Sequence, residues 1–319
     1  AFALRTVETA ADADAFNRLY LDVFWEGAPE PGAAVPIGGA SAGGGWFEVR
    51  HWLAADDDGP VALLSVLARD GLAALYRQPV RTRGASRTDA GVHALGQIVG
   101  FEAPLAIPPR GVLLGLLGKL PPDLGVVAAW EATLPDGRPV DPRFWNLGKR
   151  YRYRIRCTPR RIPQTARGEW HLPRPLDVAA MQAAARHFVG EHDFAGFRAS
   201  GCQARSTVRR IIAVDVQGGA AGDERPADPP CLAPDERPEI VEVEVRGEAF
   251  LQNMVRIMVG TLVEVGLGRR PPDSVAALLA APDRSRTGAT APPEGLTLVE
   301  VLWPDPWPPT SGVAAAPGP

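Results

Sequence analysis

The stretch KRYRYRIRC, residues 149–157, alternates strictly between two kinds of side chain. Arginine fills every second position, and tyrosine, isoleucine or cysteine follows each arginine. Because successive side chains of a β-strand point to opposite faces, the pattern predicts a strand with one charged face and one aromatic-apolar face. Four like charges on one face repel each other, so we expect a bound polyanion or neighbouring acidic residues to offset them.

The segments around this strand predict an α+β fold with a mostly antiparallel sheet. Residues 206–217 and 239–247 are expected to form a hairpin, and the Pro/Asp/Gly-rich insert 218–238 between them is expected to be mobile. Further strands are predicted at 19–27, 78–86, 97–103 and 295–303. Helices are predicted at 61–77, at 110–120, at 178–190 with Asp177 as N-cap, at 250–266 and after Asp273.

The helix predicted at 250–266 is amphipathic in its residue spacing. Its apolar stripe consists of Leu251, Met254, Val255, Met258, Val259 and Leu262. Arg256 falls on another face together with Gln252, Asn253 and Gly260. Arg256 is therefore expected to be free to reach a partner elsewhere in the fold.

Charge is distributed unevenly along the chain, although the formal net charge is only -3. Residues 138–174 contain eleven lysines and arginines against two acids, and residues 215–248 contain ten acids against three arginines. A localised basic block indicates an anionic partner such as a nucleic acid. A solvated strand face in an arginine-rich chain is the alternative, and composition alone does not decide between them.

Several function classes find no support in the sequence. The glycines of 28–45 are not followed by Gly-Lys-Ser/Thr, so they do not form a P-loop. The spacing of Cys157, Cys202 and Cys231 does not suit a zinc site. No apolar run is long enough to span a membrane, and the N-terminal residues resemble neither a secretory signal nor a transit peptide. We therefore expect a cytoplasmic protein without cofactor or metal, or an organellar one if a targeting segment has been removed.

The stretch RGASRTDAGVHALGQ, residues 83–97, places an aspartate before Ala-Gly. Asp89 could be an ordinary turn carboxylate, or a nucleophile or general base held by a cation. A hydrolytic arrangement with Ser86 and His93 is set aside, because all three lie within eight residues and no G-x-S-x-G pattern is present. The stretch alone leaves the first two alternatives open.

The motif SRTDAGVHALGQ resembles the central motif of the tRNA pseudouridine synthases of the TruA family. Four further segments resemble other family motifs, in the family's order, and together the matches extend from about Ala62 to Trp303. They are GKRYRYRI (148–155), GEHDFAGFR with RSTVRRI (190–198 and 205–211), FLQNMVRIMVGTLVEVG (250–266) and ATAPPEGLTLVEV (289–301).

The resemblance implies an enzyme that isomerises uridine to pseudouridine in the anticodon stem-loop, at tRNA positions 38–40, without a cofactor. It also implies a homodimer that binds tRNA and a fold of two ferredoxin-like (RRM-like) α+β halves, joined in one central sheet with a basic RNA-binding cleft. The halves are expected at 1–137, with 1–60 divergent and loop-rich, and at 138–303. Residues 304–319 are expected to be a disordered tail.

The resemblance also implies roles for individual residues. Asp89 matches the essential aspartate, and Arg256 matches the helix arginine that pairs with it. Tyr151 matches the tyrosine that stacks on the flipped uracil and helps to remove the C5 proton, and Arg87 matches the arginine that evicts the base. The other residues expected to contact substrate or RNA are Thr88, His93, Gln97, Arg143, Arg150, Arg152, Arg198 and Arg205.

Three departures from the family pattern qualify these expectations, and one of them is the additional insert 218–238. Residues 1–60 match the family's opening segment only loosely, and Ser86 stands where the family usually has glycine. If that position requires a positive φ, serine would be strained by about 1 kcal/mol or more. A catalytically silent RNA-binding relative, and a synthase with another RNA target, are the alternative functions.

Overall fold

The computed structural model describes residues 44–51, 63–104, 107–121, 123–131, 141–220 and 239–304 of the 319-residue chain. In these residues ten strands form one sheet. They are β1 (Gly44–His51), β2 (Thr82–Gly84), β3 (His93–Glu102), β4 (Leu124–Glu131), β5 (Gly148–Cys157), β6 (Trp170–Leu172), β7 (Gly190–Asp193), β8 (Val208–Ala220), β9 (Glu239–Gly247) and β10 (Leu296–Leu302).

Six α-helices accompany this sheet in the described part of the chain. They are α1 (Leu63–Tyr76), α2 (Pro109–Leu117), α3 (Pro142–Trp145), α4 (Val178–Ala185), α5 (Met254–Gly266) and α6 (Ser274–Ala280). Between described strands, only the β3–β10 and β5–β6 pairs are parallel. The predicted α+β class with a mostly antiparallel sheet is therefore confirmed.

The order of the strands brings distant parts of the sequence together. The main path runs β4-β1-β3-β10-β5-β9-β8-β7, with β2 paired to β3 and β6 paired to β5. Strand β10 thus lies between β3 and β5. Its residue Leu298 is opposite Ala94 on one side and Tyr151 on the other. The start of β3 and the middle of β5 are consequently only one strand apart.

Strand β5 has the two faces that the alternation predicts. Tyr151, Tyr153, Ile155 and Cys157 are all buried. On the other face, acidic side chains offset three of the four arginines. Arg150 pairs with Glu244 at 3.1 Å and with Glu300 at 3.3 Å, Arg154 pairs with Glu242 at 2.8 Å, and Arg156 pairs with Glu169 at 2.6 Å.

The acids of this ladder come partly from the acidic block of the sequence. Glu242 and Glu244 belong to β9, which pairs with β5 along its whole length. Two arginines of the basic block are therefore offset within the sheet by two acids of the acidic block. Arg156 differs from the other ladder arginines because it is fully buried, with only 1% of its surface exposed.

Helix α5 differs from the predicted amphipathic helix. It begins at Met254, and of its thirteen residues only Arg256 and Glu264 are not buried. The face opposite the apolar stripe is covered by residues 288–291. A Cβ at Gly260 would lie 1.8 Å from the carbonyl oxygen of Ala289, so only glycine permits this approach. Periodicity does not reveal such a cover, because it comes from a distant segment.

Other boundaries also differ from the predictions. Strand β1 lies within the region 1–60 that was expected to be loop-rich, and it pairs with β3 and β4. Strand β8 extends to Ala220, into the expected insert, because it continues its pairing with β9. The predicted strand 19–27, the rest of the insert, Cys231 and the tail from residue 305 lie outside the described residues.

Asp177 caps α4 as predicted, because its Oδ1 accepts a hydrogen bond from the backbone N–H of Ala180 at 2.9 Å. The α-helix ends earlier than expected, at Ala185, and a 3₁₀ turn follows it over Arg186–Phe188. No helix in the described residues has the length and apolar character needed to cross a membrane.

Candidate active site

Asp89 lies in the tight turn that leads into β3. The backbone N–H of Val92 donates to the Asp89 carbonyl oxygen at 3.1 Å. Gly91 has φ +79°, the left-handed region that the third position of such a turn favours for glycine. A Cβ at Gly91 would also lie 3.0 Å from Cγ of Pro293. The main chain alone satisfies this turn, so it does not require the Asp89 carboxylate.

The carboxylate instead faces Arg256 of helix α5. Nη1 of Arg256 is 3.4 Å from Oδ2 of Asp89. The Asp89 side chain is 27% exposed and the Arg256 side chain is 14% exposed. This contact is longer than the usual hydrogen bond between charged groups. The carboxylate thus has a cation beside it and keeps oxygen lone pairs available to another group.

Arg256 is held in place by two further acceptors. Its Nε donates to the carbonyl oxygen of Ala291 at 2.7 Å, and its Nη1 donates to Oδ1 of Asn253 at 3.0 Å. Asn253 has φ +61°, a conformation that asparagine adopts more readily than most residues. Sequence reasoning did not select Asn253 or Ala291 as site residues. In the sequence Asn253 falls inside the helix predicted at 250–266, so its place before the observed helix was not evident.

Tyr151 reaches the same site from β5. Its phenol oxygen is 2.7 Å from Oγ of Ser86, and its ring meets Phe250 edge to face with 5.1 Å between ring centroids. The pKa of the Tyr151 phenol is raised to about 12, mainly by burial; the hydrogen bond with Ser86 lowers this pKa, and the negative charge of Asp89 contributes to the rise. The phenol is therefore neutral near pH 7 and interacts electrostatically with Asp89.

Ser86 does not have the strained conformation that a positive φ would impose. Among the described residues other than glycine, only Arg77 and Asn253 have a positive φ. The buried side chain of Gln97 holds the Ser86 backbone on both sides. Nε2 of Gln97 donates to the Ser86 carbonyl oxygen at 2.8 Å, and Oε1 accepts from the Ser86 N–H at 3.1 Å.

His93 connects the site to the segment between β5 and β6. The side chain is 1% exposed, and its Nε2 is 2.5 Å from the carbonyl oxygen of Arg167. Burial lowers the pKa of His93, and the carbonyl of Arg167 and the charge of Glu294 oppose this shift only partly. In the described fold His93 is thus a buried imidazole that links β3 to the segment before β6.

The remaining predicted RNA-contacting residues fall into three groups. Thr88 is buried, whereas Arg143 and Arg205 are exposed and Arg87 lies at the surface of the turn. Arg150 is engaged with acids in the ladder, and Arg152 and Arg198 are partly exposed. Within the described residues, neither Arg198 nor Arg205 has a hydrogen bond or ion pair with Asp89, Tyr151 or Arg256.

Arg198 nevertheless lies near the site along the main chain. The N–H of the next residue, Ala199, donates to the carbonyl oxygen of Gln252 at 3.0 Å, directly before the start of α5. Elsewhere in the described part of the chain, no three histidine, cysteine, aspartate or glutamate side chains are grouped as a metal site would require.

Comparison with known proteins gives a consistent result for this chain. A family model described as tRNA pseudouridine synthase matches residues 184–304. A tRNA pseudouridine synthase A of Myxococcus xanthus is 45% identical over 248 residues, which is 78% of this chain and 85% of the relative. Proteins of the same name from Geotalea uraniireducens and Geobacter sulfurreducens are each 45% identical, over 74% and 72% of this chain and 88% and 85% of their own lengths.

Among solved structures, one chain of a Cbf5-Nop10-Gar1 complex aligns with 80% of this chain and 49% of its own length. The TM-score is 0.31 and the sequence identity is 11%, which is too weak a likeness to support a conclusion about fold or function.

Proposed function

The chain belongs to the tRNA pseudouridine synthase A family, and on that premise we propose that it isomerises uridine to pseudouridine in the anticodon stem-loop of tRNA. In this reaction the N1–C1′ bond of the nucleoside breaks and a C5–C1′ bond forms. C5 loses a proton and N1 gains one, so the atoms balance without an external reagent.

One observation carries the proposal: Asp89, Arg256 and Tyr151 meet at one place although they come from a turn, a helix and a strand. We assign Asp89 as the essential carboxylate. It is partly exposed, and the guanidinium of Arg256 lies 3.4 Å from its Oδ2. Arg256 is itself fixed by Ala291 and Asn253, so it holds the carboxylate without enclosing it.

Tyr151 is assigned to the uracil ring and the C5 proton. Its phenol is neutral before the reaction, because burial and the charge of Asp89 both raise its pKa. Whether Asp89 forms a bond to the base or sugar or takes a proton, its negative charge disappears. That loss lowers the pKa of Tyr151, so the phenol more readily gives its own proton to N1 of the detached uracil, and the phenolate that results accepts the C5 proton.

Arg87 is assigned to the displaced base. It is exposed and lies two residues before Asp89. Removing a base from a stacked stem costs roughly a few kcal/mol, and an arginine that enters the vacated space offsets part of this cost. The Arg87 side chain is long and exposed, so its guanidinium can reach the space that the base leaves.

The charges of the described residues favour one RNA-binding surface over another. The arginine ladder of β5 is largely neutralised by acids, as described above. By contrast, the basic loop, residues 158–168 between β5 and β6, contains three arginines and no acidic residue. These are Arg160, Arg161 and Arg167. We assign phosphate contacts mainly to the basic loop, with Arg143, Arg198 and Arg205, and a smaller share to Arg150 and Arg152.

The basic loop is also anchored beside the site. The carbonyl of its residue Arg167 contacts His93 of β3, and the buried pair Arg156–Glu169 fixes the chain at both ends of the loop. Thr88 and Gln97 are both buried and support the turn that bears Asp89. An RNA backbone bound to the loop would therefore have a defined position relative to Asp89.

Other features implied by the family are included in the proposal. They are a homodimer, a cytoplasmic location, two ferredoxin-like halves that meet near residue 137, and a basic cleft between them. The reaction is expected to need no cofactor.

Pseudouridine mapping of total tRNA, with and without the protein, tests the function. We expect new pseudouridines in the anticodon arm with the wild-type protein and none with Asp89→Asn, while Asp89→Asn retains tRNA binding. Asp215→Asn, at an exposed carboxylate on β8, is the matched control and should retain activity.

Unchanged anticodon arms would contradict the substrate assignment, and modification of another RNA would identify a different target. A wild-type protein that binds tRNA but forms no pseudouridine would indicate a silent relative. Full activity of Asp89→Asn would remove the assigned role of Asp89.

A further inference from the structure

We infer that Ser86 is a positioning residue of the reaction, whose hydroxyl fixes the phenol of Tyr151 beside Asp89. The inference deepens the proposed function and rests on it, because it assigns a residue within the same site. Three observations support it: the contact between the two hydroxyls, the rigid attachment of Ser86, and the limited freedom of the Tyr151 ring.

The hydroxyl contact joins two elements that are distant in sequence. Oγ of Ser86 and Oη of Tyr151 are 2.7 Å apart, a normal distance between two hydrogen-bonded hydroxyls. Ser86 precedes the catalytic turn, whereas Tyr151 is in β5. Either oxygen can be the donor. The contact therefore links the turn that bears Asp89 directly to the aromatic residue of the site.

Ser86 is attached firmly enough to direct another side chain. The Gln97 amide holds its N–H and its carbonyl oxygen, and the N–H of Ala85 donates to the carbonyl oxygen of Ile98 at 2.8 Å. Gln97 is fully buried, and its Oε1 also accepts from the N–H of Ile98 at 3.2 Å. The Cβ of Ser86 is thus fixed relative to β3, and only rotation about χ1 is left to its hydroxyl.

The Tyr151 ring has little freedom of its own. The side chain is 6% exposed, and the edge-to-face contact with Phe250 restricts rotation of the ring. The direction of the phenol O–H is consequently set by its partner. Among the described residues, that partner is Ser86.

A serine hydroxyl suits a phenol that changes its protonation state. It can accept from the neutral phenol and, after a rotation, donate to the phenolate. Ser86 can therefore remain hydrogen-bonded to Tyr151 before and after proton transfer. An alanine at this position would leave a buried phenol without that partner, in a site where unpaired polar groups are costly.

Kinetics of five variants test the inference. We expect Ser86→Ala to lower kcat about tenfold, with KM and tRNA affinity unchanged, because the loss of one hydrogen bond is of this order. Ser86→Thr, which keeps the hydroxyl, should restore most of kcat. In a Tyr151→Phe background, Ser86→Ala should have no further effect. Ser274→Ala, at a partly exposed serine in α6 whose hydroxyl donates to the carbonyl oxygen of Pro271, is the control.

If Ser86→Ala lowered kcat equally in the wild-type and Tyr151→Phe backgrounds, the inference would be overturned, since Ser86 would then act on the turn that bears Asp89. Failure of Ser86→Thr to recover activity, with the fold intact, would also count against it.

A spectroscopic measurement does not depend on turnover. The protein is labelled with 3-fluorotyrosine, whose phenol is more acidic than that of tyrosine, and the Tyr151 resonance is assigned by comparison with Tyr151→Phe. The midpoint of its ¹⁹F titration should move to higher pH in Ser86→Ala, because the hydrogen bond favours the phenolate. An unchanged midpoint would overturn the inference. If the wild-type protein forms no pseudouridine but the midpoint moves, the proposed function fails and the contact stands.

Discussion

The arginine ladder of β5 and the Asp89–Arg256 pair are both arginine–carboxylate arrangements, yet they differ in how completely the charges are satisfied. In the ladder, guanidinium and carboxylate atoms lie 2.6–3.3 Å apart, and Arg156 with Glu169 is almost fully enclosed. In the site the corresponding distance is 3.4 Å, and Asp89 is the more exposed partner.

The difference separates charge used for structure from charge left for a ligand. A guanidinium that is saturated by acids has little attraction left for phosphate or substrate. Arg256 donates its other hydrogen bonds to neutral acceptors, so its positive charge remains directed at Asp89. The counting of arginines in the sequence overestimates the RNA-binding surface for the same reason, since several of them are neutralised inside the sheet.

The largest effect on stability is expected in the most enclosed pair. Arg156→Met leaves the buried Glu169 carboxylate without this partner and should lower the free energy of unfolding by about 3–5 kcal/mol. Denaturant titration measures this loss. The double variant Arg156→Met/Glu169→Leu should recover much of it, because neither charge remains. A loss below about 1 kcal/mol in the single variant would mean that this pair is not structural.

For the Asp89–Arg256 pair we expect the reverse: a large loss of activity with a small loss of stability. Arg256→Ala should lower kcat by about 10²–10³-fold, the usual scale for removing one electrostatic contact in an active site. The unfolding free energy should change much less than in Arg156→Met, because Arg256 is partly exposed. Arg154→Ala, which breaks the ladder pair with Glu242, is the matched control and should keep its turnover. Full activity of Arg256→Ala would remove the ion-pair role.

RNA binding tests which arginines are available to phosphate. The double variant Arg160→Gln/Arg161→Gln in the basic loop should reduce the salt dependence of log K for tRNA by about 0.7–0.9 for each phosphate that the loop no longer neutralises. The ladder variant Arg150→Gln/Arg154→Gln removes the same number of charges and should change this slope much less. Filter binding at several salt concentrations gives both slopes. The reverse result would make the ladder the RNA-binding surface.

The smallest expected effect depends on pH. Lys149 is buried and donates to Oδ1 of Asn146 at 2.8 Å. Burial, together with the charge of Arg143, lowers its pKa to about 8. Its positive charge is therefore present at pH 7 and is lost as the pH rises through about 8, so tRNA affinity should fall severalfold over this range. Lys149→Met should flatten this profile, whereas Lys119→Met, at an exposed lysine, should leave it unchanged. An identical pH profile in all three proteins would show that the charge of Lys149 does not cause this pH dependence.

Local features of the fold followed from the sequence, and long-range contacts did not. The two faces of β5, the hairpin of β8 and β9 and the cap at Asp177 all depend on neighbouring residues, so alternation and capping preferences predict them. The cover on α5 could not be predicted, because residues 288–291 contact the helix from a separate segment that no periodicity within the helix identifies.

The candidate site shows the same division. Family motifs selected Asp89, Tyr151 and Arg256, and the structure places them together. The hydrogen bond between Ser86 and Tyr151 could not be predicted, because it depends on the register across β3, β10 and β5. The φ of Ser86 is likewise not evident from residue type, so the sequence left strain at this position open.

The position of β10 has a consequence for the order of events during synthesis. This strand separates β3 from β5 and pairs with both, yet it is translated after both of them. A ribosome-bound chain that ends before residue 296 contains Asp89, Tyr151 and Arg256 but lacks the strand that joins β3 to β5. Long-range pairing of this kind forms late and slowly. Incomplete chains should therefore be unable to act on RNA. Enzymatic activity should begin only when nearly the whole described fold has left the ribosome.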